Sequence, residues 1–438
     1  MSTNDNKQVA RRLDSLKRLL AHARERLSLD LGFVLWDGST IPTDLDQRAL
    51  ALVIADESVV AALIRRPNLH TLINLWVTAR LDIRNGSIFD LVARRPAVRT
   101  KHILKTLDKR LALATVAKFL LTPRGGPWPL EEVRSDKARV DGGEAANKEN
   151  IHYHYDISNA FYALFLDPEM VYSCGYFSDW NHDLATAQRA KLDMICRKLR
   201  LQPGDTFLDI GSGWGALVCH AAQHYGVRAH GVTLSQQQLI FAKEKVERLG
   251  LQARVTVELG DYAALEGAYD KIASIGMFEH VGFADHETYF RTVDRLLQPR
   301  GLYLHHAITR PAKHDKKRFR RKSAEYGAII RYIFPGAELD YLGLSITNLE
   351  GYGFEVHDVE GWREHYARTA RCWHDRLLAN LAAAEREIGS VKTRLWLVYL
   401  AGSSLGFERG SIEVFQTLAS KRARGASGLP PTRADLYR

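Results

Sequence analysis

The sequence predicts an α/β protein whose main domain is a doubly wound, mostly parallel sheet, and three observations predict it. Residues 207–215 (FLDIGSGWG) pass from an apolar strand pattern through an Asp into glycines at alternate positions, with a helical pattern after them. From there to residue 308, short β-rich runs alternate with helical stripes, which is how a parallel sheet with crossover helices reads. A helix-breaking stretch at 123–143 separates this region from the front of the chain.

Taken in order, the elements begin with a helix on which Val9, Leu13, Leu16, Leu20 and Leu27 share one stripe, ringed by Arg11, Arg12, Lys17, Arg18, Arg24 and Arg26. A basic amphipathic helix of this kind either lies on a membrane surface or packs its stripe on its own domain. Pro123, Gly125, Gly126, Pro127 and Pro129 then break any helix, and charged sequence follows through Asp141-Gly142-Gly143. The expected organisation is an N-terminal domain at 1–122, a linker at 123–146 and a main domain at 147–438. Within the main domain, strand 207–210 leads into helix 216–225 and strand 228–233. Helix 236–249 follows, with Leu239, Ala242 and Val246 on one stripe, then strands 254–259, 271–275 and 302–308, with helix 287–297 between the last two.

In such a sheet the ligand lies at the carboxyl ends of the strands, at the topological switch point. That singles out residues 209–215, 233–238, Asp261, Tyr262, Glu279, His280 and 305–308. The glycine spacing is G-x-G-x-G, not the G-x-G-x-x-G of dinucleotide sites. With Asp209 before the first glycine, the loop reads either as a site for S-adenosylmethionine, whose amino acid part is zwitterionic, or as a plain strand–helix turn.

The 438 residues carry 61 Lys and Arg against 51 Asp and Glu, a net charge of +10, which implies an acidic partner. Basic residues concentrate at the N-terminal helix, at 310–322 (RPAKHDKKRFRRK) and at Lys421, Arg422 and Arg424. No aromatic spacing of an RNA-binding sheet accompanies them, so an anionic membrane surface is the expected partner and nucleic acid is not. No apolar run approaches the ~18 residues that span a bilayer and no signal-peptide pattern opens the chain, so the expected location is cytoplasmic. Cys174, Cys196, Cys219 and Cys372 are scattered without C-x-x-C spacing, and neither a metal site nor a disulfide framework is expected.

Several longer stretches carry a resemblance. They are 147–167 (NKENIHYHYDISNAFYALFLD), 170–177 (MVYSCGYF), 208–215, 232–238 (VTLSQQQ), 274–282 (SIGMFEHVG), 332–336 (YIFPG) and 365–373 (HYARTARCW). Together they resemble the cyclopropane-fatty-acyl-phospholipid synthase family, which includes the mycolic acid cyclopropane synthases, from about residue 147 onward. The resemblance implies a Rossmann-like S-adenosylmethionine domain with helical cap elements at about 147–195 and 311–400. It also implies a reaction that adds the methyl carbon of S-adenosylmethionine across a cis double bond of an unsaturated phospholipid acyl chain. A carbocation forms, and bound bicarbonate takes a proton from the added methyl so that a cyclopropane ring closes. The work would be done at the inner face of the membrane, with the protein peripherally bound; a homodimer is compatible with this class.

By motif match the resemblance carries Cys174, Glu279, His306, the backbone of Ile308, and Tyr399 onto the bicarbonate ion. It carries Tyr172, Ser173, Gly211, Gly213, Thr233, Gln238, Asp261 and Tyr262 onto S-adenosylmethionine, with Asp209 organising the glycine loop. Each has a plainer reading by itself: an isolated Cys is usually a small buried hydrophobe, and Tyr399 lies in an apolar helical stretch. Glu279 resists that reading, because a buried carboxylate without a partner is expensive. His306 is preferred to His305 because strand alternation turns His305 to the other face. The front segment 80–91 (RLDIRNGSIFDL) has a weaker likeness to longer, two-domain bacterial synthases. Rival outcomes are a methyl-branched or methylated unsaturated chain from the same cation, a small-molecule N-methyltransferase, and a silent lipid-binding protein.

Overall fold

The computed structural model describes residues 3–95, 106–130 and 157–437, and the chain divides into two compact units. One is Met1–Arg134 with Ser390–Ala401; the other is Ser135–Gly389 with Gly402–Arg438. The second unit therefore lacks a segment that the sequence reading ran continuously from 147 to the C-terminus. Residues 147–156 of the first motif, and the linker from residue 131, lie outside the described residues.

The first unit holds a small sheet of β1 (Gly32–Val34), β2 (Thr40–Ile41), β3 (Ala51–Ile54) and β4 (Leu81–Arg84), ordered β2-β1-β3-β4. Its N-terminal helix, Thr3–Arg26, packs Leu16, with Leu13 and Leu20 beside it, among Phe33, Leu50, Val59, Leu75 and Phe119. The Ser15 and Thr115 hydroxyls meet at 3.0 Å, and Arg12 reaches Glu57 at 2.8 Å. Of the two sequence readings of this helix, the one in which the stripe belongs to its own domain describes it.

The second unit is built on seven strands: β5 (Thr206–Ile210), β6 (Arg228–Thr233), β7 (Val255–Leu259), β8 (Tyr269–Ile275), β9 (Leu297–Thr309), β10 (Phe354–Gly361) and β11 (Glu413–Lys421). Their order is β10-β11-β9-β8-β5-β6-β7. Strands β5 to β9 pair in parallel, while β11 runs antiparallel to both β9 and β10. This is the Rossmann-like α/β architecture expected from the sequence. Helices Ala216–Tyr225, Gln236–Arg248 and His286–Leu296 fall where the stripes place them. The sequence reading missed β10, which occupies part of the region expected as cap, and β11, and it began β9 five residues late. Helices Lys316–Arg320, Ala324–Tyr332, Leu342–Gly351, Arg363–Ala379 and Leu381–Ile388 also fall in that region, as does the start of Ser390–Glu408. Strand β5 lies between β6 and β8, so the sheet's direction of winding reverses there, and the carboxyl end of β5 marks the switch point.

Candidate active site

At that switch point a cavity of about 290 Å³ opens. Tyr172, Ser173, Asp209, Gly211, Gly213, Thr233, Gln238, Asp261 and Tyr262, the residues carried onto the cofactor by motif, all line it. The glycine loop shapes its floor. Gly211 (φ +83°) and Gly213 (φ +54°) take left-handed backbone, and a Cβ on Gly213 would project into open space. At the end of β6 the Thr233 hydroxyl donates to Oε1 of Gln238 at 2.7 Å. Asp261 caps the turn Tyr262–Ala264, and Tyr262 packs edge-on against Tyr289.

Asp209 differs from expectation. Its carboxylate makes no hydrogen bond to the glycine loop among the described residues, and Oδ1 is buried without a partner. Burial pushes its pKa up to about 7, opposed by the charge of Lys191. The side chain lines the cavity. Lys191 itself was missed by the motif reading. It is 2 % exposed, lines the cavity and donates to the Ser173 hydroxyl at 2.9 Å. Burial draws its pKa down to about 8, against the pull of Asp167, Cys174 and Asp209. The available signal was a lysine on the buried stripe Leu184, Ala187, Gln188, Leu192, Ile195 of its helix. Gln188, one turn earlier, holds the Ser173 carbonyl at 2.9 Å, so this helix fixes the Tyr172–Ser173 segment. An aromatic wall closes the same side: Tyr162 meets Trp214 at 5.0 Å and Tyr172 at 5.5 Å, and Tyr172 meets Trp373 at 5.1 Å.

A second group of residues sits where β8 and β9 end. Gly276 N–H donates to the His306 carbonyl, and the chain then turns through Phe278–His280. That turn brings Glu279 back to β9, where Oε1 accepts the Ile308 N–H at 2.6 Å. The other oxygen, Oε2, is buried without a partner among the described residues. Burial pushes Glu279 up to about 7; the Ile308 N–H opposes this and the Asp340 carboxylate adds to it. Asp340, also missed, is 2 % exposed, accepts the Ser345 hydroxyl at 2.7 Å and is pushed up to about 7 by burial.

His306 and His305 face opposite sides of β9. His305 packs against Phe278 and meets the Tyr303 hydroxyl at 2.9 Å. His306 meets Trp362 edge-on, contacts Gln416 and keeps Nε2 buried without a partner among the described residues. Cys174 is fully buried in a cluster with Trp362 and Val414, on which Ile308 packs. Burial raises its pKa well above the ordinary thiol value, which favours the neutral thiol. Tyr176 lies between Trp362 and His365, at 4.9 and 5.0 Å. The structure thus brings Cys174, Glu279, His306 and Ile308 together. Ile308 departs from its expected role in one respect: its N–H is engaged by Glu279. Tyr399 lies in Ser390–Ala401, the segment that clusters with the first unit, beside Trp396 at 5.5 Å.

Comparison with known proteins matches residues 143–417 to the mycolic acid cyclopropane synthetase family. The chain is 36% identical over 423 residues to the probable fatty acid methyltransferase of Pseudomonas putida, covering 96% of this chain and 99% of that protein. It is 37% identical over 271 residues to the cyclopropane-fatty-acyl-phospholipid synthase of Escherichia coli (strain K12), covering 61% and 66% of the two. The solved structure of mycolic acid cyclopropane synthase CmaA1 complexed with SAH and CTAB is similar with a TM-score of 0.59 at 34% identity, covering 63% of this chain and 98% of that one.

Proposed function

The chain belongs to the mycolic acid cyclopropane synthetase family, and from that premise we propose that it closes cyclopropane rings on unsaturated phospholipid acyl chains. It is an S-adenosylmethionine-dependent methyltransferase of a family that acts on unsaturated lipids. The finer reading is that the methyl carbon goes to a cis double bond of an acyl chain in a membrane phospholipid. The observation that carries it is Glu279, a buried carboxylate with one oxygen held by Ile308 and the other unpartnered.

The cavity residues fit the cofactor. Asp209 offers a buried, unpaired oxygen to an ammonium, Lys191 offers an ammonium to a carboxylate, and Gln238 offers its NH2 to ribose hydroxyls. When bound, S-adenosylmethionine supplies an electrophilic methyl on a sulfonium. An alkene is a poor nucleophile, so the protein acts by orienting the two and by excluding water from the cation that results. The ring faces of Tyr172, Trp373, Tyr176 and Trp362 supply negative quadrupoles for positive charge. Two orphaned buried atoms, Oε2 of Glu279 and Nε2 of His306, suit an oxyanion carrying a proton, and bicarbonate satisfies both. Glu279 orients that ion and receives its proton, and the Cys174 thiol joins the donor set we assign to it.

A second reading keeps the site and changes the product. The Pseudomonas putida protein, similar over nearly the whole chain, is named a probable fatty acid methyltransferase. A cation that loses its proton elsewhere gives a methylated unsaturated chain, and one that takes a hydride from an external reductant gives a methyl-branched chain. The exposed cations of 313–322 favour an anionic membrane as the working surface, at its cytoplasmic face. Mass spectrometry of lipids from cells carrying the active chain or Glu279→Gln tests the reading. Acyl chains longer by one CH2, without a double bond, are expected only with the active chain. Unchanged lipids in both would overturn it.

A further inference from the structure

Behind His306 runs a line of buried polar groups that the reaction above does not use. Lys198, at the end of the helix Leu184–Lys198, is 1 % exposed. Its ammonium donates to the Glu360 carboxylate and, at 2.7 Å, to Oε1 of Gln416. Gln416 stands opposite His306 in the β9–β11 register, with its Nε2 3.1 Å from His306 Nδ1. The Trp362 indole flanks both ends of the line, 5.1 Å from the Lys198 ammonium and edge-on to the His306 ring at 5.8 Å.

The donor and acceptor inventory leaves one consistent arrangement. An ammonium can only donate, so the Gln416 oxygen must face Lys198, which fixes the two ends of the amide. The Gln416 NH2 then faces His306, and it too can only donate, so Nδ1 must accept. A neutral imidazole carries one N–H. That proton therefore sits on Nε2, the atom that is buried without a partner. We propose that Lys198 and Gln416 are positioning residues that lock His306 as its Nε2–H tautomer, making it a hydrogen-bond donor to the anion of the site and not a base.

Other features agree. Burial, with the charges of Lys191 and Lys198, drives the His306 pKa well below the ordinary histidine value, so the ring stays neutral. Glu360 balances the Lys198 charge, so the line delivers a fixed hydrogen-bond direction. A partner on one ring nitrogen that sets the histidine tautomer is a recurrent device in sites where the other nitrogen must present a proton. The proposal rests on the bicarbonate reading only for the identity of the anion; the tautomer stands apart from it.

The test is nitrogen NMR of the full chain labelled with ¹⁵N-histidine, without cofactor or added bicarbonate, the His306 signals being assigned by their loss in His306→Asn. The proton is expected on Nε2 in the native protein. In Gln416→Glu the shape is kept, but a carboxylate now accepts from both sides, so the proton should move to Nδ1. That variant should need about 10- to 100-fold more bicarbonate for half-maximal activity, the loss typical of a hydrogen bond to a charged group. Its KM for S-adenosylmethionine should hold. Should Gln416→Glu not fold, Lys198→Met frees the amide and should give a mixture of tautomers. A native proton on Nδ1, or a tautomer unmoved in both variants, would overturn the proposal. A native enzyme indifferent to bicarbonate would instead remove the ion's identity and leave the tautomer result to decide.

Discussion

The backbone N–H of Ile308 donates to Oε1 of Glu279 at 2.6 Å, while Oε2 of the same buried carboxylate has no partner among the described residues. One oxygen fixes the side chain, and the other is the one to which the proposed reaction assigns the proton. The backbone of β9 thereby acts through Glu279, and the turn Phe278–His280 exists to bring the carboxylate back to the strand. A buried carboxylate left half satisfied is costly, and that cost has a measurable sign.

The folded pKa of Glu279, about 7, lies above its ordinary 4.5. The folded protein therefore holds this proton more tightly than the unfolded chain, and stability falls as pH rises from about 4.5 through 7. Above pH 7 the cost approaches about 3 kcal/mol. Glu279→Gln should accordingly be more stable than the native protein at pH 8, with the gain vanishing near pH 4.5. Thermal unfolding at both pH values checks it, and a variant less stable at pH 8 would contradict it.

The same variant cannot receive a proton, so turnover should fall by ~10²–10⁴ while calorimetry shows S-adenosylmethionine still bound. In the native enzyme, turnover should rise with pH through about 7 as Glu279 ionises. A flat profile between pH 6 and 8 would remove Glu279 from the proton path.

Cys174 is a neutral, buried thiol. Cys174→Ser keeps a hydrogen-bonding group and should lose far less activity than Glu279→Gln, with added bicarbonate restoring part of the loss. A wholly inactive Cys174→Ser at saturating bicarbonate would point to covalent chemistry instead.

Gly213→Val should abolish cofactor binding in a folded protein, because its branched side chain would enter space that is open above the loop. Its left-handed backbone adds strain of about 1–2 kcal/mol. Circular dichroism separates loss of fold from loss of the site; unchanged affinity in a folded variant would refute the placement.

Lys316, Lys317 and Arg320 are exposed on the short helix Lys316–Arg320, whereas Arg310 is stacked between Phe319 and Tyr326 at 4.4 and 4.6 Å. Changing the first three to Gln should weaken binding to anionic vesicles on the order of a hundredfold at low salt, at about 1 kcal/mol each. Arg310→Gln should act mainly on packing. Equal binding to neutral and anionic vesicles would end the electrostatic account.

The parallel half of the main sheet was legible because β5, β6 and β8 are apolar runs punctuated by helical stripes. Strand β11 was not, because its buried Gln416 and Thr417 read as polar surface. Gln416 is buried because Lys198 and His306 satisfy it, and such pairing across distant segments leaves no local trace. Lys191 left a fainter trace, a lysine on the buried stripe of its helix, while the surroundings of Asp209 in the cavity show only in the fold. The motif residues of the cofactor cavity were legible because loop and strand-end chemistry is written in short, contiguous stretches.

The most direct test of ring closure supplies the purified protein with vesicles of a cis-unsaturated phospholipid and S-adenosylmethionine carrying a deuterated methyl. Mass spectrometry and proton NMR then follow the acyl chain. The account predicts a product that keeps two of the three deuterons, shows ring protons and has lost its olefinic signals. Retention of all three deuterons, or an olefinic signal in the methylated product, would contradict it.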